Sequence, residues 1–197
     1  MGVVKLSTAG ITNFQKYDDM LAGNLPLFGP AYELLETEIL ASNQSTVVFS
    51  NLISKYSSLY KHLQLRASVN CTTTASNQFL TFNGVTASGS YTWHYLSATG
   101  TQVISGNGFN TSGICWVICN ADTNNFSGAI VDILDAFSST KNKTVRSFYG
   151  SARSGSNWLD IETGIALSTA AINSIELGYG QTWLAGSRFS LYGLRSF

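Results

Sequence analysis

At 197 residues the chain has room for one domain and an extension, and a domain of that size buries enough surface to need no metal or disulfide staple. Eleven basic and eleven acidic side chains cancel, and charged residues make up only 11% of the sequence. Such a balance argues against wrapping nucleic acid or inserting into an anionic membrane, both of which call for basic excess, and it offers scant protection against self-association.

The first thirty residues, "MGVVKLSTAGITNFQKYDDMLAGNLPLFGP", differ from everything after them. Phe14, Tyr17 and Leu21 form a weak helical stripe that stops at Gly23-Asn24. Leu25, Leu27 and Phe28 then sit among prolines that enforce extended backbone. These six apolar side chains are too few for a core and too many to rest in water. The expectation is an N-terminal anchoring arm over residues 1–30 that buries them on another protein, with folding back onto its own sandwich as the alternative, ahead of a β-sandwich domain over residues 31–197. No secretory signal or membrane-length apolar run is read, so synthesis in a cytoplasm is expected.

From Leu34 onward, period-two stretches alternate with Gly, Asn, Ser and Thr. "ELLETEIL" places Leu35, Thr37 and Ile39 on one face, and "STVVFSNLI" does so with Val47, Phe49 and Ile53. In "YKHLQLRASVN", Leu63, Leu65, Ala67 and Val69 oppose His62, Gln64 and Arg66. "QFLTFNG", "SYTWHYLS", "GICWVICN", "GAIVDILDA", "TVRSFYGSA", "NWLDIETGIAL", "INSIELG" and "SRFSLYGL" follow. "LSTAAINSI" could hold one turn of helix. Many short strands at this spacing predict an all-β, antiparallel, jelly-roll-like β-sandwich.

Little in the sequence carries chemistry. His62 and His94 lack the convergent ligands a zinc site needs, no G-x-S-x-G elbow is present, and "GNG" at 106–108 reads as hairpin or bulge glycines rather than a phosphate cradle. Asp160 and Glu162 share one strand face at a separation compatible with glycoside cleavage, but a solvated strand face accounts for them better. Cys71, Cys115 and Cys119 read as small buried hydrophobes in a reducing compartment. Tyr91, Trp93 and Tyr95 share a face: three rings there fill a core or subunit interface, or stack on sugar. No enzyme activity and no cofactor is expected.

Taken together and in order, "KLSTAGITNFQKYDDMLAGN", "YKHLQLR", "WHYL", "VDILDAFSSTKNKTVRSFYG", "AINSIEL" and "AGSRFSLYGL" resemble small virion structural proteins of tailed bacteriophages, cyanophages among them. The resemblance runs along nearly the whole chain. It implies a β-sandwich module carried as capsid decoration, cement protein or tail-fibre component, commonly a homotrimer, located in the virion and made in the host cytoplasm. The implied partners are a major capsid protein or a tail protein. A carbohydrate-binding tail-fibre module contacting a host surface glycan through Tyr91, Trp93 and Tyr95 is the alternative. The resemblance brings no catalytic residues.

Overall fold

A computed structural model describes residues 32–73, 76–119, 124–153, 156–178 and 181–195. The anchoring-arm residues Phe14, Tyr17, Leu21, Leu25, Leu27 and Phe28 lie outside the described residues. In chain order the strands are β1 (Tyr32–Ile39), β2 (Val47–Phe49), β3 (His62–Val69), β4 (Ser76–Phe82), β5 (Tyr91–Thr99) and β6 (Gln102–Thr111). Then come β7 (Ile114–Cys119), β8 (Ser127–Leu134), β9 (Lys143–Arg153), β10 (Ser156–Ala166), β11 (Ile175–Leu177) and β12 (Arg188–Leu194). A single short helix among the described residues, α1 (Leu52–Tyr56), interrupts them. The strands form two antiparallel sheets, one of eight strands in the order β1-β12-β3-β8-β9-β10-β5-β6 and one of four in the order β2-β11-β4-β7. Packed together they make the expected all-β sandwich.

The alternation of β3 explains its place near the middle of the larger sheet. Leu63, Leu65 and Val69 point inward and are fully buried, opposite Ile133, Val131 and Ser127 of β8. The smaller sheet covers them with Val47, Phe49, Leu80, Ile175 and Leu177. All six residues of β7 are buried, so this strand reads as a continuous apolar run rather than an alternation. Trp116 of β7 meets Trp183 and Phe189 at ring separations of 5.9 and 6.4 Å, a contact worth more than the area it buries. Each such large side chain contributes about 1.5–3 kcal/mol by leaving water.

Three local expectations change. A register shift between Leu34 and Glu36 in β1 turns Leu35 toward the core and leaves Ile39 exposed, so Leu35 and Ile39 do not share a face. Ile53 lies in α1 and not on β2. The stretch read as a helical turn, residues 167–175, is irregular up to β11. Asn83 holds it that way: its Oδ1 accepts from the amides of Asn173 and Ser174 at 2.7 and 3.1 Å, and its Nδ2 donates to Ala171 O at 3.0 Å. A side chain satisfying three backbone groups replaces the helical hydrogen bonds.

Candidate interaction surface

β10 inverts the polarity expected of it. In an alternating strand with one face on the core, the apolar set faces inward. Here Asp160 and Glu162 face inward and are 1% and 3% exposed, while Leu159, Ile161 and Ile165 face solvent. The expectation of a solvated acidic face is thus corrected: the shared face holds, its direction is reversed. The inward face of β10 has already been filled by the ring strand and by small residues. Glu162 pairs across to Tyr95, Gly164 to Trp93 and Ala166 to Tyr91. A Cβ on Gly164 would come within 2.8 Å of Ile114 Cγ2, so β7 leaves no room for larger side chains there.

The buried acids have company. Tyr149 of β9 donates its hydroxyl to Glu162 Oε1 at 2.9 Å, and Cys115 of β7 faces the same carboxylate. Among the described residues, Asp160 Oδ2 and Glu162 Oε2 find no hydrogen-bond partner. Burial pushes the Glu162 carboxyl up to about 7 and raises that of Asp160, because an ionised carboxylate loses its hydration there. The Tyr149 hydroxyl and the Cys115 thiol are raised by the same burial and by their acidic neighbours. A group sealed between two sheets offers no face to a sugar chain, so the pair does not make a glycosidase site. Cys71, Cys115 and Cys119 are all buried. Among the described residues, no three His, Cys, Asp or Glu side chains converge for a metal ion.

The ring strand also faces inward. Tyr91 and Trp93 are buried and Tyr95 is partly so. Trp93 packs against Phe79 and Tyr95 at 6.4 and 5.8 Å. Tyr91 accepts from the Phe82 amide at 2.9 Å and donates to Val85 O at 3.0 Å. Of the two readings of these rings, core packing is the one they satisfy; a stacking platform needs exposed ring faces. The 106–108 glycines belong to β6 rather than to a hairpin tip. A Cβ on Gly108 would fall 2.4 Å from Trp93 Cε2, and one on Gly106 2.6 Å from the Tyr95 hydroxyl. Glycine lets both rings lie flat over the neighbouring strand.

With acids and rings inside, the apolar side chains of the central strands are left outside. Leu96, Ile161, Phe148 and Ile130 stand in direct register across β5, β10, β9 and β8, each between 44% and 57% exposed. One row along, Val103, Ala98 and Leu159 continue the patch over Gly150 and Gly128, where a Cβ on Gly128 would touch nothing. Leu96, Val103, Ile130, Phe148, Leu159 and Ile161, each between 44% and 72% exposed, together form a contiguous apolar patch of the kind that marks an interaction site. The patch has a polar border. Arg146 reaches Asp132 at 3.2 Å, Gln64 donates to Asp132 at 2.7 Å, and Arg66 donates to Gln64 at 2.8 Å. Arg66 also lies over the Tyr32 and Tyr192 rings. An apolar centre with a polar rim is the composition of a protein–protein interface.

Sequence reasoning missed this row. Its signal was present in "NWLDIETGIAL", where Leu159, Ile161 and Ile165 alternate with the acids, but alternation alone does not say which face is buried. Comparison with protein-family models, with curated proteins and with solved structures finds no match for this chain.

Proposed function

We propose that this chain is a non-enzymatic structural protein that acts by being packed into a larger particle. The virion of a tailed phage is the particle its sequence resemblance points to, as capsid decoration or cement, or as a tail appendage. The observation that carries the reading is the inverted β10 and the half-exposed row Leu96–Ile161–Phe148–Ile130 that it leaves on the outer face. Covering these six side chains, each about half exposed, gives a gross gain of several kcal/mol, from about 1.5–3 kcal/mol for each full burial. Lost rigid-body freedom and side-chain ordering offset much of that, leaving an affinity suited to a repeated contact on a multivalent lattice. Residues 1–30, with Phe14, Tyr17, Leu21, Leu25, Leu27 and Phe28, supply a second hydrophobic contact in this reading.

The test is co-sedimentation of the full chain with purified particles from an infected culture. Phe148→Glu and Ile161→Glu place a carboxylate at the centre of the covered face, and each is expected to reduce particle-bound chain at least tenfold while the free protein keeps its fold. Wild-type levels of incorporation by both variants would remove the outer face from the mechanism. Retention of a chain lacking residues 1–30 at wild-type level would remove the arm.

A further inference from the structure

The two sheets have four edges, and three are protected in different ways. β1 carries Glu33, Glu36 and Glu38, charges that discourage a further strand. β2 is only three residues long, and β7 is buried along its whole length. Among the described residues, β6 has none of these defences. Its ten residues, "QVISGNGFNT", include no charged side chain and no proline, and none of them is buried. A row of unpaired amides and carbonyls on a long, uncharged edge is a template for another strand.

The sequence of β6 indicates which strand. About Gly106 the strand sets like against like at two of three pairs: Ser105 and Asn107 flank it, Val103 and Phe109 lie three positions out on either side, and between them Ile104 faces Gly108. Antiparallel pairing of two copies about a twofold axis through Gly106 sets Val103 of each copy opposite Phe109 of the other. These are the two most exposed large apolar side chains of the strand, at 72% and 63%. Both lie on the outer face, where Phe109 already packs edge-on against His94 at 5.5 Å. On the inner face the same register sets Ile104 opposite Gly108, whose missing side chain is replaced by the Trp93 ring. An uncharged strand meets its own copy without repulsion, and the join makes the outer apolar patch continuous across both copies through Val103, Ala98 and Leu159.

We infer that β6 is a self-association edge: two copies of this chain pair antiparallel through residues 103–109 to form one continuous sheet of sixteen strands across the dimer. The inference names the first partner of the association surface proposed above and rests on that reading only for its biological setting. It is tested by sedimentation equilibrium of the full chain over a concentration series. Wild type is expected to reach twice the chain mass. Val103→Lys combined with Phe109→Lys sets like charges opposite one another and is expected to weaken dimerisation about a hundredfold. Val103→Lys combined with Phe109→Glu sets opposite charges in the same places and is expected to restore it. Both substituted positions are solvent-exposed, and circular dichroism checks that each variant keeps the wild-type fold. A wild-type monomer at the highest concentration, a trimer, or a dimer indifferent to the paired lysines would each overturn the inference, the last by placing the contact elsewhere on the chain. Phe148→Glu lies three strands from the edge. It is expected to leave the dimer intact, so failure of the edge and failure of the outer face are read separately.

Discussion

Glu162 is the most informative single residue, because its environment makes a solution property run against the usual direction. In an unfolded chain its carboxyl ionises near 4.5, whereas in the sandwich burial holds it to about 7. Between those values only the unfolded chain gives up its proton, so stability falls as pH rises through that window, and above it the penalty is complete. A shift of that size corresponds to about 3 kcal/mol. Asp160 of the same strand adds in the same direction, its carboxyl raised by burial. The described groups facing them are the Tyr149 hydroxyl from β9, the Cys115 thiol from β7 and the Ser97 hydroxyl from β5, all neutral at these pH values, and no cation stands among them to offset the cost. The protein is therefore expected to melt at higher temperature at pH 5 than at pH 8. Glu162→Gln keeps an acceptor for Tyr149 and should flatten the difference, raising stability mainly at pH 8. Thermal unfolding of both proteins across pH 4–9 checks this, and equal pH profiles for the two would refute it.

Among the elements, β9 shows how a strand end can be fastened without burying an ion pair. Lys143 is buried at the start of β9, and its Nζ donates to the carbonyls of Ser138, Lys141 and Thr169 at 2.7, 2.6 and 3.2 Å. One ammonium thus ties the β8–β9 connection to the loop after β10. Lys143→Met keeps the apolar stem and removes the donors, leaving three carbonyls to find water. The expected loss is about 2–3 kcal/mol, read as a lower urea midpoint at unchanged slope; a loss below about 0.5 kcal/mol, the ordinary range of a surface change, would contradict it. The strands themselves were legible, because period two is a local property: β3, β5 and β8 all lie where alternation puts them. The direction of the alternation was legible only where one face was plainly apolar, as in β3. In β10 the local pattern points the wrong way, acids outward and Leu159 and Ile161 inward, and the direction was set instead by Trp93 and Tyr95 from β5 and by β7 above, none of which the local sequence encodes. The extended 167–175 loop was hidden for a similar reason, its conformation being set by Asn83 some ninety positions earlier.

For the whole molecule, the two sheets divide the work. The smaller sheet closes the core. The larger one presents an outer face whose centre is apolar and whose border is charged, together with one edge, β6, that no described residue defends, and the apolar face follows from placing acids, rings and glycines on the inside. The proposed role requires that outer face to be covered when the protein is at work. Hydroxyl-radical footprinting, read by mass spectrometry at Leu96, Ile130, Phe148 and Ile161, compares the isolated chain with the chain bound in particles. Several-fold protection of these four side chains on binding is expected, with Leu59 and Val48, exposed elsewhere on the molecule, oxidised equally in both states. Equal oxidation of the four in free and bound chain would contradict it.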